Sequence, residues 1–530
     1  MARQSITRTL ERARSAWNEK ENWDQVLREA FKYAMPQRSQ YEVTTPGAKK
    51  GSDTFDSTAI NSASRLANRI VSVVFPAGRE WCGLTAGPLV PEENKRDMNE
   101  VLEKVTKRFF AILHNVSNFQ TAISEWALDL VAGTAAMVIN KGDVENPFIF
   151  SAMPIINVAP EDGAHGLIGG IYRKISIKVR LIKEHWPQAE LPDVLKNLKG
   201  AERDKEKELW ECTYWDDGLK KWRYEVIYPT SKKTGSRLID RMYEHPPMQV
   251  TRFMKSSNEA SGRGPILNAL ADIKTINKLV ELVLKNASLA VSGVFMGVDG
   301  DVNPDNVRIV PGGVIPVMRN PGHPSGPSLS PLVGSHDFNI SQLEHERLSS
   351  SIKQMMFDNS MPPLTGPVRS ATEFVERIKD LSQDVGPAFG RIISEAMVPF
   401  VQRGIDIMFE LGLFNDIEDM QLLDTIRIGG VNVQLTVQSP LAMLQNLDDV
   451  EAIVRSIELV QTLIGPEAVA ESFKVEEIPE RLATKLGFPA ELIRDKRERG
   501  VLIDKVADRL AAMSLAKQQG APNSGAMMAA

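Results

Sequence analysis

The sequence predicts an α+β protein, predominantly helical, organised as roughly three or four domains. Three observations carry this. Apolar residues recur at intervals of three and four over long stretches, which is the period of a half-buried helix. Between Ala136 and Phe253 that period gives way to short runs of β-branched and aromatic residues separated by turn signals. The length, 530 residues, exceeds what one compact core holds.

Residues 5–35 read as a helix carrying Leu10, Ala13, Trp17, Val26 and Ala30 on one stripe. A polar loop over 36–56 precedes a second helix, 58–70, whose small residues suit it to close packing. Phe75-Pro76-Ala77-Gly78 ends it. Helices follow over 92–116 and 119–132. The β-rich block contains strand-like runs at Met137–Ile139, Gly170–Ile177, Leu209–Trp215 and Lys221–Tyr228, with Asp216-Asp217-Gly218 as a hairpin turn. A helix over 178–200 is expected to be inserted in it.

Gly262-Arg263-Gly264-Pro265 launches a further helix through Ile266, Leu270, Ile273, Ile276, Val280 and Val283, since proline suits a first helical turn. Residues 291–338 are rich in proline and glycine, with strand-like Val307–Val310 and Val314–Met318. Such a segment is too short to build its own core, so its strands are expected only against neighbouring copies. A helix over Ser341–Phe357 leads into the proline-crowded loop Met361-Pro362-Pro363-Leu364-Thr365-Gly366-Pro367. Prolines restrict φ and remove donors, so this loop cannot join either flanking helix. A long amphipathic helix follows to about Leu411, with Phe374, Ile378, Leu381, Val385, Phe389, Ile392 and Phe400 on one face. Gly386-Pro387 is expected to kink it near the middle. Gly430–Val437 reads as a strand, 441–515 as helical and the tail 516–530 as disordered.

Composition excludes several functions. A formal net charge of −5, from 63 basic and 68 acidic residues, supplies no basic field for gripping nucleic-acid phosphates, which argues against a protein that grips DNA but not against one that lets it slide. Cys82 and Cys212 stand far apart with no CxxC, which excludes a disulfide framework or a cysteine zinc site. The N-terminus has no apolar signal core, and no apolar run nears the ~18–20 residues of a membrane span. A soluble product, intracellular where it is made, is expected. Lys49-Lys50-Gly51-Ser52 lacks the ending a P-loop needs, the seven histidines include no HExxH, and no serine sits in a GxSxG elbow. No catalytic, cofactor or metal residues are expected.

Four segments, in order, resemble the portal proteins, the head-to-tail connectors of tailed phages, and especially those of short-tailed phages. They are Asp56–Asn68 with Phe75-Pro76 and Trp81–Leu84; Phe119–Ala122 to Leu130–Met137; Gly262–Pro265 with Ala271–Lys274; and Ser370–Met408, with the later Ser439–Ala442 and Ile478-Pro479. The resemblance implies a ring around an axial channel at one capsid vertex, twelve copies strong. It divides the chain into a wing (1–262 and 371–440), stem helices (263–290 and 341–357), a clip (291–340), a channel loop (358–370), a crown (441–515) and a disordered tail (516–530).

The resemblance also implies a role for each part. Double-stranded DNA passes the loop, formed by Met361, Pro362, Pro363, Leu364, Thr365, Gly366, Pro367, Val368 and Arg369. Lys274, Lys353 and Arg369 are candidates for transient phosphate contacts, with Asp358 opposing Arg369. The clip, including Arg308, Pro311, Gly312, Gly313, Arg319 and His323, would dock the terminase large subunit and the tail adaptor. Major capsid and scaffolding proteins would meet the ring in the virion. Asp299, Asp301, Asp305 and Asp337 outnumber Arg308 and Arg319 in the clip, so its wall repels phosphates. The alternative reading is a capsid or tail structural protein that forms no channel.

Overall fold

The computed structural model describes residues 5–41, 45–231, 234–292, 295–297, 329–331, 338–358, 388–415, 433–437, 450, 452–460 and 462. Contacts divide the chain into two units, 1–79 with 105–429 and 80–104 with 430–530. In the second unit β1 (Cys82–Ala86) pairs antiparallel with Val433–Val437, from Cys82 opposite Val437 to Ala86 opposite Val433. Asn99 Oδ1 holds the end of β1 by accepting from the Ala86 amide at 2.7 Å. Of the segment expected to be helical over 441–515, residues 452–460 are described and are helical.

The first unit begins with α1 (Ile6–Ala34), capped by Ser5, whose hydroxyl accepts from the Arg8 amide. Next come α2 (Thr58–Val74), the part of α3 (Glu92–Asn115) that follows residue 104, and α4 (Phe119–Ala132). The buried face of α2 is Ala59, Ser62, Ala63, Leu66, Ala67, Ile70 and Val74, small enough at four positions to let α4 approach closely. Where α2 stops, Phe75 enters an aromatic cluster with Phe119, Trp126 and Phe400, at centroid separations of 5.8, 6.0 and 6.0 Å. All four side chains are buried, and they form a core shared by the end of α2, α4 and the helix that carries Phe400.

β2 (Thr134–Lys141) and β3 (Phe148–Met153) pair antiparallel. β4 (Val158–Asp162), β5 (Ile168–Lys178), β6 (Glu206–Asp216), β7 (Lys221–Pro229) and β8 (Gly235–Tyr243) form an antiparallel five-stranded sheet in chain order. β9 (Met248–Arg252) returns to the free side of β2. Both faces of the five-stranded sheet are covered. Leu10, Ala13 and Ala16 of α1 pack on Tyr172, Cys212 and Tyr214, while Ile182, Trp186 and Leu195 pack with Leu209, Tyr224 and Val226. The expected hairpin is present: Asp216 Oδ1 accepts from the Gly218 and Leu219 amides at 3.0 and 3.3 Å.

The helix expected over 178–200 is not one helix. Single turns stand at Ile182–His185 and Asp193–Lys196, interrupted at Trp186-Pro187 and Leu191-Pro192, because a residue before proline is pushed out of the helical region.

α5 (Pro265–Ser292) and α6 (Phe338–Met355) lie side by side, tied by Ser351 Oγ donating to Asp272 Oδ2 at 2.7 Å. Between them in sequence, Phe295–Gly297 pairs antiparallel with Leu329–Pro331 of the same chain. Strand pairing in this segment is therefore not confined to neighbouring copies. The strand-like 307–310 and 314–318 lie outside the described residues.

Last comes α7 (Val398–Glu410), preceded by a π turn at Ile393–Met397. Pro399 has no N–H, so the Glu395 carbonyl loses its helical donor. The Thr251 hydroxyl replaces it at 3.2 Å, and Gln249 Nε2 donates to the Pro399 carbonyl at 2.9 Å. β9 thus repairs the helix where proline interrupts it.

Candidate functional site: the helix pair and the base of its loop

Two glycine motifs far apart in the sequence meet at the start of α5. Gly133 closes α4 at a φ of 135°, a conformation open to glycine alone at little cost. A Cβ on Gly133 would stand 2.3 Å from the Gly262 carbonyl oxygen, and one on Gly264 would stand 2.2 Å from that of Val131. Two backbones cross here with no room for side chains. Thr134 Oγ1 accepts from the Gly262 amide at 2.8 Å, and the Phe253 amide donates to the Gly133 carbonyl at 2.8 Å. From this crossing Pro265 sends out α5 in a fixed direction.

The helix pair is then strapped on its flank. The buried carboxamide of Asn277 accepts from the Phe55 and Asp56 amides at 2.7 and 3.3 Å and donates to the Asp53 carbonyl at 3.0 Å. Asp56 in turn meets His345 Nε2 of α6 at 3.2 Å and accepts from the Thr58 amide at 2.9 Å. Three side chains therefore tie the strap before α2 to both helices.

Where α6 ends, Phe357 takes a φ of 53° and the Asp358 amide donates back to the Lys353 carbonyl at 2.7 Å. The Asp358 side chain is 1% exposed. Ser62 Oγ donates to Asp358 Oδ2 at 2.9 Å and Arg65 Nη1 reaches the same oxygen at 3.3 Å. Arg69 Nη2 lies 3.5 Å from Oδ1, and its Nη1 donates to the Phe357 carbonyl at 2.6 Å. This corrects the sequence expectation. Asp358 is not an exposed charge but a buried anchor that ties the end of α6 to α2, while Arg369 lies outside the described residues. Burial decides the difference: a carboxylate removed from water persists only when donors surround it. Arg65 and Arg69 recur at i,i+4 on α2, a spacing visible in the sequence that puts both on one face of the helix.

The other expected residues fall as follows. Lys274 is not a free cation, because its Nζ pairs with Glu29 Oε2 at 2.9 Å while 45% of the side chain stays exposed. Lys353 is half-buried in the last turn of α6 and makes no ion pair among the described residues. Met361, Pro362, Pro363, Leu364, Thr365, Gly366, Pro367, Val368 and Arg369 lie outside the described residues. So do Arg308, Pro311, Gly312, Gly313, Arg319 and His323, and the Gly386-Pro387 kink.

On the opposite flank, the Arg252 side chain, 1% exposed, places Nη2 2.6 Å from Glu395 Oε1. The Glu395 carboxylate also accepts from the Arg252 amide at 2.9 Å and from Arg391 Nη1 at 2.9 Å. The π turn and β9 are locked by this pair. Cys82 and Cys212 are unpaired and fully buried, and burial pushes both thiols up. Among the described residues no group of three His, Cys, Asp or Glu side chains is placed to hold a metal ion. Among the same residues no helix is long and apolar enough to cross a membrane.

Comparison with known proteins bears on the whole chain. The model of the bacteriophage head to tail connecting protein family matches residues 7–493. A probable portal protein of Bordetella phage BPP-1 is 21% identical over 544 residues, spanning 97% of this chain and 92% of that protein. Among solved structures, a chain from the neck of a native gene transfer agent particle, computed with C12 symmetry, covers 82% of this chain and 90% of its own at 12% identity and a TM-score of 0.37. A chain from the neck of an empty particle, computed with C6 symmetry, matches over the same shares at 13% identity and a TM-score of 0.32.

Proposed function

This chain belongs to the family of bacteriophage head to tail connecting proteins, and on that footing we propose that it assembles as a ring, twelve copies around an axial channel, at one vertex of a phage capsid. Double-stranded DNA enters through the channel during packaging, is retained behind it, and leaves through it on ejection. A separate terminase drives the DNA. The ring supplies a conduit, and its 291–340 segment supplies the docking platform for the terminase large subunit and for a tail adaptor. Major capsid and scaffolding proteins surround it in the virion.

The observation that carries this reading is the family match along nearly the whole length, from residue 7 to residue 493. The local structure supports it. α5 and α6 form a strapped pair whose direction is set at a glycine crossing, and at that same end α6 is anchored by Asp358. Leu282 and Leu284 on α5, and Ile340 and Leu343 on α6, are 48, 53, 60 and 65% exposed, apolar surface that neighbouring copies would cover. The pairing of Lys274 with Glu29 also lowers the grip on phosphates, as a conduit requires. The loop 359–370 then narrows the channel and holds DNA, with no nucleotide chemistry of its own.

Native mass spectrometry tests the assembly. Particles of twelve 58.8 kDa chains, with or without neighbouring ring sizes, are expected. A protein that stays monomeric at micromolar concentration does not form this ring.

A further inference from the structure

One pocket takes no part in the helix pair or its loop. It lies where α7 meets β2 and the β7–β8 side of the five-stranded sheet, and encloses about 90 Å³, room for a group of a few heavy atoms. Arg403 lines it. The guanidinium is 2% exposed and sits 4.4 Å from the centre of the Tyr243 ring. Its Nη1 reaches Glu410 Oε1 at 3.3 Å, while its Nε is buried with no hydrogen-bond partner.

Lys141 and Arg241 line the same pocket, and no aspartate or glutamate does. Lys141 Nζ draws on the same Glu410 carboxylate at 3.2 Å, and Arg241 is hydrogen-bonded only to the neutral Gln188. Two of the three cations, Arg403 and Lys141, thus share the Glu410 carboxylate, and Arg241 meets a neutral side chain. A buried guanidinium with an unused donor is costly, and a planar anion is the group that matches its fork. The remaining walls mix neutral polar side chains, Asn140, His185 and Gln188 among them, with flat apolar surface from Trp186, Tyr243 and Pro247. A bare inorganic ion would leave them unused, whereas a peptide residue beside an anion would pack against them.

We propose that this pocket binds the carboxylate of an acidic peptide segment, with Arg403 and Arg241 taking the carboxylate and Trp186, Tyr243 and Pro247 packing the adjoining residue. Glu410 competes from the rim for the same guanidinium. The carboxylate comes from an acidic side chain or from a chain terminus, and the chemistry of capture is the same. The inference does not depend on DNA passing through a ring.

The test uses the full-length assembled protein and calorimetric titration. The probes are a short amidated peptide with glutamate beside phenylalanine, its glutamine counterpart, a phenylalanine peptide ending in a free carboxylate, and inorganic phosphate. At least one carboxylate-bearing peptide should bind about tenfold more tightly than the glutamine peptide. The stronger of the two identifies the source of the carboxylate. Arg241→Gln combined with Lys141→Gln should weaken that binding about tenfold, and Glu410→Gln should strengthen it severalfold, with thermal midpoints near the parent's confirming folded protein. Arg403 is buried, so these rim variants keep the test clear of misfolding. Equal binding of the glutamine peptide, no response to Glu410→Gln, or no binding at millimolar peptide would overturn the proposal. Phosphate that matches the peptides would make the pocket a place for an adventitious ion only, and would overturn it too.

Discussion

Replacing Asp358 by alanine should loosen the base of the loop while leaving the protein folded, and the size of the effect follows from what the carboxylate holds. Ser62 is 1% exposed and loses its acceptor, which costs about 1–3 kcal/mol for a buried unsatisfied hydroxyl. Arg65 and Arg69 are 56 and 33% exposed and turn towards water, adding no more than about 1 kcal/mol between them. Arg69 keeps its bond to the Phe357 carbonyl. The local opening free energy should therefore fall by about 1–4 kcal/mol, which speeds amide exchange by at least about fivefold, and by up to roughly 900-fold, where exchange follows that opening. Asp358→Asn keeps an acceptor for Ser62 and should show a clearly smaller increase. Hydrogen exchange with mass spectrometry, on peptides covering 353–358 and 58–70 of the assembled protein, reads both. An alanine variant that exchanges less than about threefold faster than the parent, or no faster than the asparagine variant, refutes the anchor.

Gly264→Ala would drive a Cβ into the Val131 carbonyl at 2.2 Å and should destabilise the unit by about 3 kcal/mol or more, visible as lost soluble protein. Deleting Met361–Val368 should spare ring formation and incorporation into heads but lower the DNA retained in them; normal retention of full-length genomes would remove any role for the loop. Truncation after Ala516 should leave assembly intact by size-exclusion chromatography, since 517–530 offers no amphipathic face. Partial burial beside Trp186 lowers the His185 pKa below 6.5, with Glu211 opposing that shift. The unfolded chain then binds the proton more readily, so stability is full above 6.5 and falls as pH drops through it. His185→Gln should flatten that dependence in thermal melts between about pH 7 and pH 5.

The helices were legible in the sequence where period and punctuation agree. α2 begins where the small-residue spacing foretells and stops at Phe75-Pro76, and α4 spans the expected 119–132. Five labelled strands were not legible: β1, β3, β4, β8 and β9. β3 and β8 lie at sheet edges, and β8 carries Arg237, Asp240 and Arg241 among its apolar residues, which hides the period of two. β4 contains Pro160, which reads as a breaker although an edge strand tolerates it. The π turn escaped notice because its cause is partly tertiary, the hydrogen bonds from Thr251 and Gln249 around Pro399.

The candidate site divides in the same way. The two glycine motifs stood out by composition, but their meeting is a backbone crossing between distant segments that no local pattern encodes. Asp358 looked like a loop charge because the serine and arginines that bury it lie on α2, nearly three hundred residues earlier. Lys274 looked free because its partner, Glu29, stands on α1. Pairings of this kind belong to the packed chain.

Electron microscopy of the purified full-length protein tests the central claim most directly. Class averages viewed along the particle axis should show a closed ring, twelvefold in the proposed assembly, with a central hole wide enough to pass duplex DNA. Solid particles, open filaments or single chains without a hole would contradict the conduit and favour a structural protein that forms no channel.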